Sequence, residues 1–540
     1  MLTKCVIKAG EYHDSVALMQ TARKLKELPG VRDAAVVMAT AANKGILRQA
    51  GLMHPEIDSA RPDDLVIVVR ANDEEAAARA LREADGHLRQ RGAVAESGQA
   101  SRPRSIRAAR STSHPNLAVI SVAGQYATAE AWEALKAGLH VLLFSDNVSL
   151  ADELALKRYA AEHGLLLMGP GCGTAIINGV ALGFANVVPR GPVGIVAAAG
   201  TGLQEVSTLL ARLGVGISQA IGTGGRDLAE EVGGIAMLQG LRALQADPAT
   251  EVLVLISKPP ASAVASRVLE QVQASAKPSV VCFLGGAGAP PRAVPSLSGR
   301  GMPQFAVDSP ASTGMITAGT LQEAAYQAAA CAGHAFSTSV ARTIENESID
   351  LRGRAAVLRR HLGPQQKYLR GLFSGGTLAT EALWIWKDVL GDVLSNVPLD
   401  ARFRLADPAQ SQGHCALDLG EEEFTVGRPH PMIDNDLRAR RLLQEAADPE
   451  VAVIILDVVL GYGAHPDPAR ELVPAIAKTR GLGGRRERGL LFVASVTGTD
   501  QDPQGLARQV KALQDAGVAV CSCNAAAARL AGMIVAPPSV

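Results

Sequence analysis

The sequence predicts an α/β protein in which several doubly wound parallel-sheet domains follow a small N-terminal α+β module. Three observations support this prediction. Continuous apolar strands alternate with helical stretches along most of the 540 residues, a pattern typical of parallel sheets covered on both faces. Aromatic residues make up only 3% of the chain, which suits layers packed through small and branched side chains. The N-terminal part instead shows two short βα repeats.

Residues 1–90 predict a ferredoxin-like α+β module. Strand-like "KCVIKAG" and "RDAAVVMAT" flank helix-like "DSVALMQTARKLKELPG", and "DDLVIVVRAN" followed by "DEEAAARALREADGHL" adds a second strand and helix. The next stretch, residues 91–115, is polar, basic and without hydrophobic period, which predicts a linker.

From Asn116 the pattern becomes strand, helix, strand. We predict a Rossmann-like domain over 116–190, from "NLAVISVAG", "HVLLFSD" and "LLLMGPGCGT", and a flavodoxin-like domain over 191–335 that begins with "PVGIVAAAG". Residues 336–365 are again polar and basic and predict a second linker. Residues 366–540 repeat the α/β rhythm with "KYLRGLFSGG", "VAVIILDVVLGYG" and "RGLLFVASVTG", and predict a third domain of this kind.

Charge and composition exclude several classes of function. Lys plus Arg equals Asp plus Glu at 53 each, so no overall field favours nucleic acid or an anionic membrane. No apolar run reaches the roughly 18–20 residues of a membrane span, and the N-terminus lacks the apolar core of a signal peptide. Seven cysteines without a paired framework indicate a reducing cytoplasm. We interpret the one close pair, Cys521 and Cys523, as strand packing and expect no metal site.

Glycine-rich turns at strand ends are the candidate binding elements, because ligands of open α/β sheets collect there. The first backbone N–H groups of a helix lack internal partners, the helix dipole adds roughly half a positive charge, and glycine lets an anion approach. Glycine also permits tight packing, so a single turn supports either interpretation, whereas several together favour a ligand. The predicted substrate- or phosphate-binding residues are Gly200, Thr201, Gly202, Thr223, Gly224, Gly225, Asp227, Lys258, Ser374, Gly375, Gly376, Gly461 and Gly463.

The standard nucleotide and hydrolase signatures are absent. The chain has neither GxxxxGK[ST] nor a GxGxxG after a first strand, and it lacks HExxH and GxSxG. Cys172 has no nearby histidine in sequence, which favours a structural thiol over a nucleophile. His465 precedes Pro466 in a glycine-rich turn and suits either an acid/base or a structural hydrogen bond.

The order of these turns resembles the succinyl-CoA synthetase superfamily, and within it the FdrA branch. "GPGCGT" (169–174), "GTGLQE" (200–205) and "AIGTGG" (220–225) match turns of the α subunit, and "LFSGGTLATEALWIWKD" and "ILDVVLGYGAHPDPA" match the ligase domain of the β subunit. By this resemblance 116–190 is a degenerate CoA-binding domain, 191–335 is the α-like ligase domain, and 366–540 is the β-like ligase domain.

Three departures from the family pattern bear on function. "GGAGA" (285–289) places Gly286 where the family has its phosphohistidine, no CoA-binding turn precedes Asn116, and the ATP-grasp domain is missing. CoA is therefore doubtful as a cofactor, and no other is expected. The family holds a phosphate between two helix N-termini, which "GTGLQE" and "GYGAHPDP" would supply here.

The resemblance implies an FdrA-like subunit of oxamate carbamoyltransferase, an enzyme of purine (allantoin) catabolism that converts oxalurate and phosphate to oxamate and carbamoyl phosphate. The expected partners are a small anionic substrate and further subunits. The predicted catalytic residues are Glu205, which matches a glutamate at the family's phosphohistidine or only caps its helix, Arg226 and His465. Two alternatives stay open: a CoA-ligase subunit working with a separate ATP-grasp chain, and a non-catalytic anion-binding scaffold.

Overall fold

A computed structural model describes residues 2–11, 13, 15–93, 103, 105–122, 124–285, 314–425, 429–482 and 489–536. The chain divides into two compact units, one of residues 1–139 with 422–429 and one of residues 140–421 with 430–540. Within the described residues no helix is both long and apolar enough to cross a bilayer.

The N-terminal module holds the sheet of the smaller unit. The elements of residues 1–139 are β1 (Leu2–Lys8), α1 (Ser15–Lys26), β2 (Val31–Met38), α2 (Ala41–Gln49), α3 (Pro55–Asp58), β3 (Leu65–Ala71), α4 (Glu74–Ala93), α5 (Ile106–Ser113), β4 (Leu117–Ile120) and α6 (Gly124–Lys136). Strand β3 lies between β1 and β2 and is antiparallel to both. This split βαβ arrangement confirms the predicted ferredoxin-like α+β module.

Strand β3 is buried on both faces because successive side chains point to opposite sides. Ile67 and Val69 pack in one apolar cluster with residues of α1 and α4. Val66 and Val68 pack in a second cluster with Leu47, Leu52 and Ile57, contributed by α2, α3 and the segment between them. The sequence analysis assigned no helix between the second and third strands, yet these two short helices cover the other face of the sheet.

The first part of the larger unit, which we call the first half, contains a seven-stranded sheet and, outside that sheet, a short parallel strand pair that joins Val141 and Leu142 to Leu167 and Met168. Residues 140–331 form β5 (His140–Leu143), α7 (Leu150–Glu162), β6 (Leu167–Met168), β7 (Thr174–Ile177), β8 (Val180–Gly183), β9 (Arg190–Ala198), α8 (Gly200–Arg212), β10 (Ile217–Gly222), α9 (Ile235–Ala246), β11 (Val252–Ser257), α10 (Ser262–Gln273), β12 (Ser279–Phe283), β13 (Met315–Thr317) and α11 (Leu321–Cys331). The strand order is β13-β12-β11-β9-β10-β7-β8, and the five strands from β13 to β10 run parallel in flavodoxin-like order.

The second part is a six-stranded parallel sheet, which we call the second half. Residues 340–535 form α12 (Val340–Arg359), β14 (Tyr368–Phe373), α13 (Gly376–Leu390), β15 (Val393–Ser395), β16 (His414–Asp418), α14 (Glu422–Thr425), α15 (Asp436–Ala447), β17 (Val451–Val459), α16 (Pro468–Leu482), β18 (Leu491–Thr497), α17 (Leu506–Asp515), β19 (Ala519–Cys521) and α18 (Asn524–Val535). Of these elements, α14 belongs to the smaller unit. The order is β15-β16-β14-β17-β18-β19. Several doubly wound parallel sheets are thus confirmed.

The two halves share one hydrophobic core that extends from Val193 in β9 to Ile534 in α18. Polar contacts also join them: the Asn186 amide donates to the Leu460 carbonyl oxygen (2.9 Å) and to Asp502 (2.8 Å), and Arg212 in α8 donates to the Val496 carbonyl oxygen (2.6 Å). The halves therefore form a single packed body.

Three predicted boundaries differ from the structure. The hairpin of β7 and β8, which the prediction placed before the boundary at 190, pairs with β10 of the first half. The predicted linker 336–365 contains α12, which Ser339 caps and which buries Leu351 and Ala355. The predicted linker 91–115 holds the end of α4 and all of α5. Small apolar residues spaced at helical period among many charges hid both helices.

Candidate functional site

The N-termini of α8 and α13 meet at the junction of the two halves. A Cβ added at Gly375 would lie 2.5 Å from Cγ2 of Thr201, and one added at Gly202 would lie 2.8 Å from Cγ2 of Thr377. Such distances are far below van der Waals contact, so only glycine lets the two helix starts approach this closely. The pair of helix N-termini is therefore formed by residues 200–202 and 375–377.

Neither helix start is capped by a side chain. Ala199 and Gly375 occupy the N-cap positions, and neither residue has a side chain that can accept a hydrogen bond. Ser or Thr caps α2, α5, α7, α11 and α12. The two opposed helix starts thus keep the backbone N–H groups that an anion would need.

Lys258 and Asp418 flank Gly376 at this junction. A Cβ added at Gly376 would lie 2.7 Å from the Lys258 Nζ and would also meet Oδ2 of Asp418. The Lys258 side chain is 33% exposed, and its Nζ lies 3.5 Å from Oε1 of Glu421. Lys258 follows β11 of the first half, and Asp418 ends β16 of the second half. We call these residues, with Thr201, Ser374, Gly375 and Gly376, the junction site.

Asp418 is a buried acid whose pKa lies near neutral pH. Burial raises its pKa to about 7; the ammonium of Lys258 opposes this shift, and Glu421 adds to it. Its backbone is fixed by Asn396, which exchanges hydrogen bonds with the N–H and carbonyl of Asp418, and its Oδ1 accepts from the Gly420 N–H at 2.9 Å. A carboxyl group held this way can gain or release a proton near neutral pH.

His430 is a neutral neighbour of Asp418. Its Nδ1 accepts from the Met432 N–H at 3.2 Å, so the ring proton lies on Nε2. A Cβ added at Gly420 would lie 2.6 Å from this Nε2 and 3.1 Å from Oδ1 of Asp418. Burial lowers the pKa of His430 to about 4, which keeps the imidazole uncharged beside the carboxyl group.

Ser374 is locked beneath the start of α13. Its N–H donates to Oδ1 of Asp457 at 2.7 Å and its hydroxyl donates to Oδ2 at 2.8 Å. Asp457 is also an ion-pair partner of the buried Arg438, at 3.2 Å. Ser374 is a fully buried positioning residue and cannot itself reach a ligand through its hydroxyl.

Seven of the predicted residues lie at this junction: Gly200, Thr201, Gly202, Lys258, Ser374, Gly375 and Gly376. The other predicted binding residues lie elsewhere: Thr223, Gly224, Gly225, Asp227, Gly461 and Gly463. Neither Asp418 nor His430 is among the predicted site residues, although Asp418 could have been found from its place at the carboxyl end of an apolar strand.

The predicted pairing of "GTGLQE" with "GYGAHPDP" is wrong. Gly461 and Gly463 pack on Phe184 and Ala185, and the Tyr462 N–H donates to the Ala185 carbonyl oxygen at 2.8 Å. Both glycines have positive φ angles, 114° and 77°, and serve this tight turn. The start of α13 occupies the place that we had expected for this turn.

His465 has a structural position. The residue is 1% exposed, its Nδ1 accepts from the Asp467 N–H at 2.9 Å, and its Nε2 lies 2.9 Å from Oε1 of Glu471. Nδ1 thus serves the turn before α16, whereas Nε2 is close to Glu471 but makes no hydrogen bond among the described residues. The catalytic role of His465 stays a prediction.

Glu205 is a capping residue for a helix other than its own. It is 2% exposed, its Oε1 accepts from the Asn524 N–H at 2.8 Å, and its Oε2 accepts from the Thr497 hydroxyl. The carboxylate therefore ties α8 to the start of α18 in the second half and does not cap its own helix. Its catalytic role stays a prediction.

The "AIGTGGRD" turn is occupied by its own side chains. Arg226 donates to Glu153 at 3.0 Å and to the Val148 carbonyl oxygen at 2.7 Å, so it pairs with neither Asp227 nor Glu231. The buried Lys157 contacts Glu153, Asp227 and the Thr223 carbonyl oxygen, and Asp227 accepts from the N–H groups of Ala236 and Met237. Gly224 approaches the Pro170 carbonyl oxygen closely, while Gly225 faces open space. Thr223, Arg226 and Asp227 thus hold α7 and α9 in place.

Two further expectations concern single residues. Cys172 is buried, and burial raises the pKa of its thiol to about 12, which agrees with a structural thiol. Gly286, at the position of the family's phosphohistidine, lies outside the described residues.

Comparisons with known proteins fit this architecture. The chain is 44% identical over 528 residues to the uncharacterized protein YahF of Escherichia coli, a match that covers 97% of each chain. The sequence model of the CoA-ligase family matches residues 372–534, and that of the CoA binding domain matches residues 190–285. The chain is an FdrA-like member of the CoA-ligase superfamily, in one family with YahF. The CoA binding match falls on the stretch that we had predicted as ligase-like.

The chain also shows more distant similarities. The α subunit of the ADP-forming succinate–CoA ligase of Methanothermobacter thermautotrophicus is 28% identical over 174 residues, which is 32% of this chain and 57% of that subunit. The crystal structure of PH0766 from Pyrococcus horikoshii is 13% identical, with coverage of 80% and 86% and a TM-score of 0.30. The model named "AllF, heavy metal-associated domain" matches residues 1–104.

Proposed function

We propose that the chain binds phosphate, or the phosphoryl group of a substrate, at the junction site and uses it in a group-transfer reaction. The observation that carries the proposal is the meeting of two helix starts without side-chain caps, with the ammonium of Lys258 beside Gly376. Each helix N-terminus contributes roughly half a positive charge, and Lys258 adds a full one. A compact dianion is the ligand that such a site favours.

The reaction that we propose is carbamoyl transfer from oxalurate to phosphate, with the chain as one subunit of the enzyme. A phosphate oxygen attacks the carbamoyl carbon, and the bond from this carbon to the oxamate nitrogen breaks. Phosphate loses one proton and the leaving nitrogen gains one, so carbamoyl phosphate and oxamate balance the equation. Asp418, with a pKa of about 7, is the group beside Gly376 that can carry this proton.

The enzyme class rests on the resemblance to the FdrA branch, while the chemistry rests on the junction site. The uncapped N–H groups and Lys258 would stabilise the negative charge that develops on the carbonyl oxygen during attack. His430 is uncharged beside Asp418, so Lys258 supplies the positive side-chain charge of the junction site. Further subunits would supply the pocket for the rest of oxalurate.

A second candidate is a CoA-ligase subunit that works with a separate ATP-grasp chain. The matches to CoA-ligase and CoA binding models and to succinate–CoA ligase α subunits favour it. The two candidates use the same anion site and differ in the need for nucleotide.

The deciding experiment is an assay of the complex isolated from cells. We expect oxamate and carbamoyl phosphate to form from oxalurate only when phosphate is present, and to form without ATP or CoA. Calorimetry with Mg-ATP should show no micromolar binding. Turnover that requires ATP and CoA and releases ADP would instead establish the ligase candidate. A complex inactive in both assays that still binds phosphate would leave the scaffold alternative.

A further inference from the structure

Three ligating side chains of different chemistry converge in the N-terminal module, far in sequence from the junction site. Cys5 projects from strand β1, His54 occupies the N-cap position of α3, and Glu56 lies in the first turn of α3. The Cys5 Sγ lies 3.3 Å from Nδ1 of His54 and 3.6 Å from Oε2 of Glu56, and the three ligand atoms lie within 4.8 Å of one another.

From this geometry we infer that Cys5, His54 and Glu56 form a binding site for a divalent zinc-like cation. Thiolate, imidazole and carboxylate together suit Zn²⁺ and its spectroscopic substitute Co²⁺, and three protein ligands leave one position for water or a partner's group. This inference is independent of the proposed group transfer.

The spacing of the ligand atoms fits tetrahedral coordination. With Zn–S and Zn–N or Zn–O bonds of their usual lengths, a tetrahedral ion separates sulfur from each of its neighbours by ~3.6 Å. The two distances in the module, 3.3 Å and 3.6 Å, lie close to this value. The sulfur therefore lies at tetrahedral separation from both of the other ligand atoms.

The backbone holds two of the ligands in a fixed relation. Pro55 separates His54 from Glu56 at the first position of α3, and its ring fixes one backbone dihedral angle. The Ser59 hydroxyl donates to the Glu56 carbonyl oxygen and Ile57 is fully buried, which anchors the helix turn. Cys5 and Ile7 in turn pack against the cluster that covers this face of the sheet. The site is thus supported by the fold of the module.

The partly buried thiol of Cys5 lies next to the carboxylate of Glu56. A thiolate beside a carboxylate is electrostatically unfavourable unless a cation lies between them. A divalent ion bound between the two would reverse the unfavourable charge relation and take the thiolate as its ligand.

The test is a Co²⁺ titration of the full-length chain after treatment with a chelator. We expect one equivalent to bind with thiolate-to-cobalt charge-transfer absorption, and Zn²⁺ to displace it. Cys5→Ser should abolish the absorption, and Glu56→Gln, a change at an exposed side chain, should weaken Zn²⁺ binding at least tenfold.

The matched control is Cys331→Ser, because Cys331 is the other free cysteine that is only partly buried. This variant should titrate like the wild type. A charge-transfer band that persists in Cys5→Ser, or no band in the wild-type chain, would overturn the inference. If Cys5→Ser does not fold, unchanged Zn²⁺ affinity in Glu56→Gln would overturn it equally.

Discussion

The two halves of the larger unit begin their first helix with related hexads, "GTGLQE" (200–205) and "GTLATE" (376–381). In each, the final glutamate is buried and caps a helix of the opposite half. Glu205 accepts from the first N–H of α18, and Glu381 accepts from the first N–H of α11, the Leu321 N–H at 2.6 Å. The glutamate of each hexad thus attaches its own half to a helix of the other half.

The halves differ in what their strand ends place around these helix starts. The first half leads into α8 through Ala197, Ala198 and Ala199, and contributes the cation Lys258. The second half contributes the carboxyl group of Asp418, with Glu421 nearby. The related hexads therefore join the two halves. The strand ends differ, and they give the junction site both the positive charge of Lys258 and the titratable carboxyl group of Asp418.

The largest expected effect is on the pH dependence of stability, through Glu381. Burial raises the pKa of Glu381 to about 7, although the Asn524 amide opposes the shift. A carboxyl group with a raised folded-state pKa stabilises the protein below its unfolded pKa and loses this contribution as pH rises to about 7. The contribution of Glu381 to the free energy of unfolding should therefore fall by about 3 kcal/mol over that range.

Glu381→Gln should remove this component, as measured by urea unfolding at several pH values between 4 and 8. Glu251→Gln, the same change at an exposed side chain, is the control. Parallel stability curves for wild type and Glu381→Gln would contradict the assignment.

The next expected effect is on phosphate affinity, and it distinguishes Lys258 from Arg226, the two cationic residues predicted to bind an anion. Lys258→Ala should weaken the binding of inorganic phosphate about ten- to a hundredfold, since a charged hydrogen bond is worth roughly 1.5–3 kcal/mol. Arg226→Ala should leave phosphate affinity unchanged because its guanidinium binds Glu153 and the Val148 carbonyl oxygen. Calorimetry on both variants tests this, and a larger loss in Arg226→Ala would return the anion to the "AIGTGGRD" turn.

Replacing the glycine at the contact of the two helix starts should lower the free energy of unfolding by about as much as Lys258→Ala lowers the free energy of phosphate binding. Gly375→Ala would force a methyl group against the Thr201 side chain, at a cost of about 1–3 kcal/mol in unfolding free energy, and should also weaken phosphate binding. Gly225→Ala, where the added methyl group meets open space, should change neither quantity. Thermal unfolding of the pair would refute the close approach if both variants behaved alike.

The smallest expected effect concerns Asp418. Because its pKa lies at about 7, phosphate binding should weaken as pH rises through 7 and a negative charge forms beside Gly376. Asp418→Asn should remove this part of the pH dependence, by about tenfold in affinity or less. Identical pH profiles for phosphate affinity in the two proteins would show that Asp418 does not face the anion.

Much of the architecture could be predicted from the sequence, because hydrophobic period and glycine turns are local signals. The apolar strands of β9, β11, β14 and β17, the ferredoxin-like module and the turn that starts α8 all followed from them. The helix α12 could not, since its apolar residues are small and widely spaced among charges.

The sequence by itself determined which turns carry uncapped helix starts and which strand ends carry ionisable groups. Only the tertiary structure decided which of these meet. Gly375 rather than Gly461 faces Thr201, and Glu205 caps α18 of the opposite half. The physical reason is that strand order and the docking of the two halves bring together residues up to 319 positions apart, and no local pattern records that pairing.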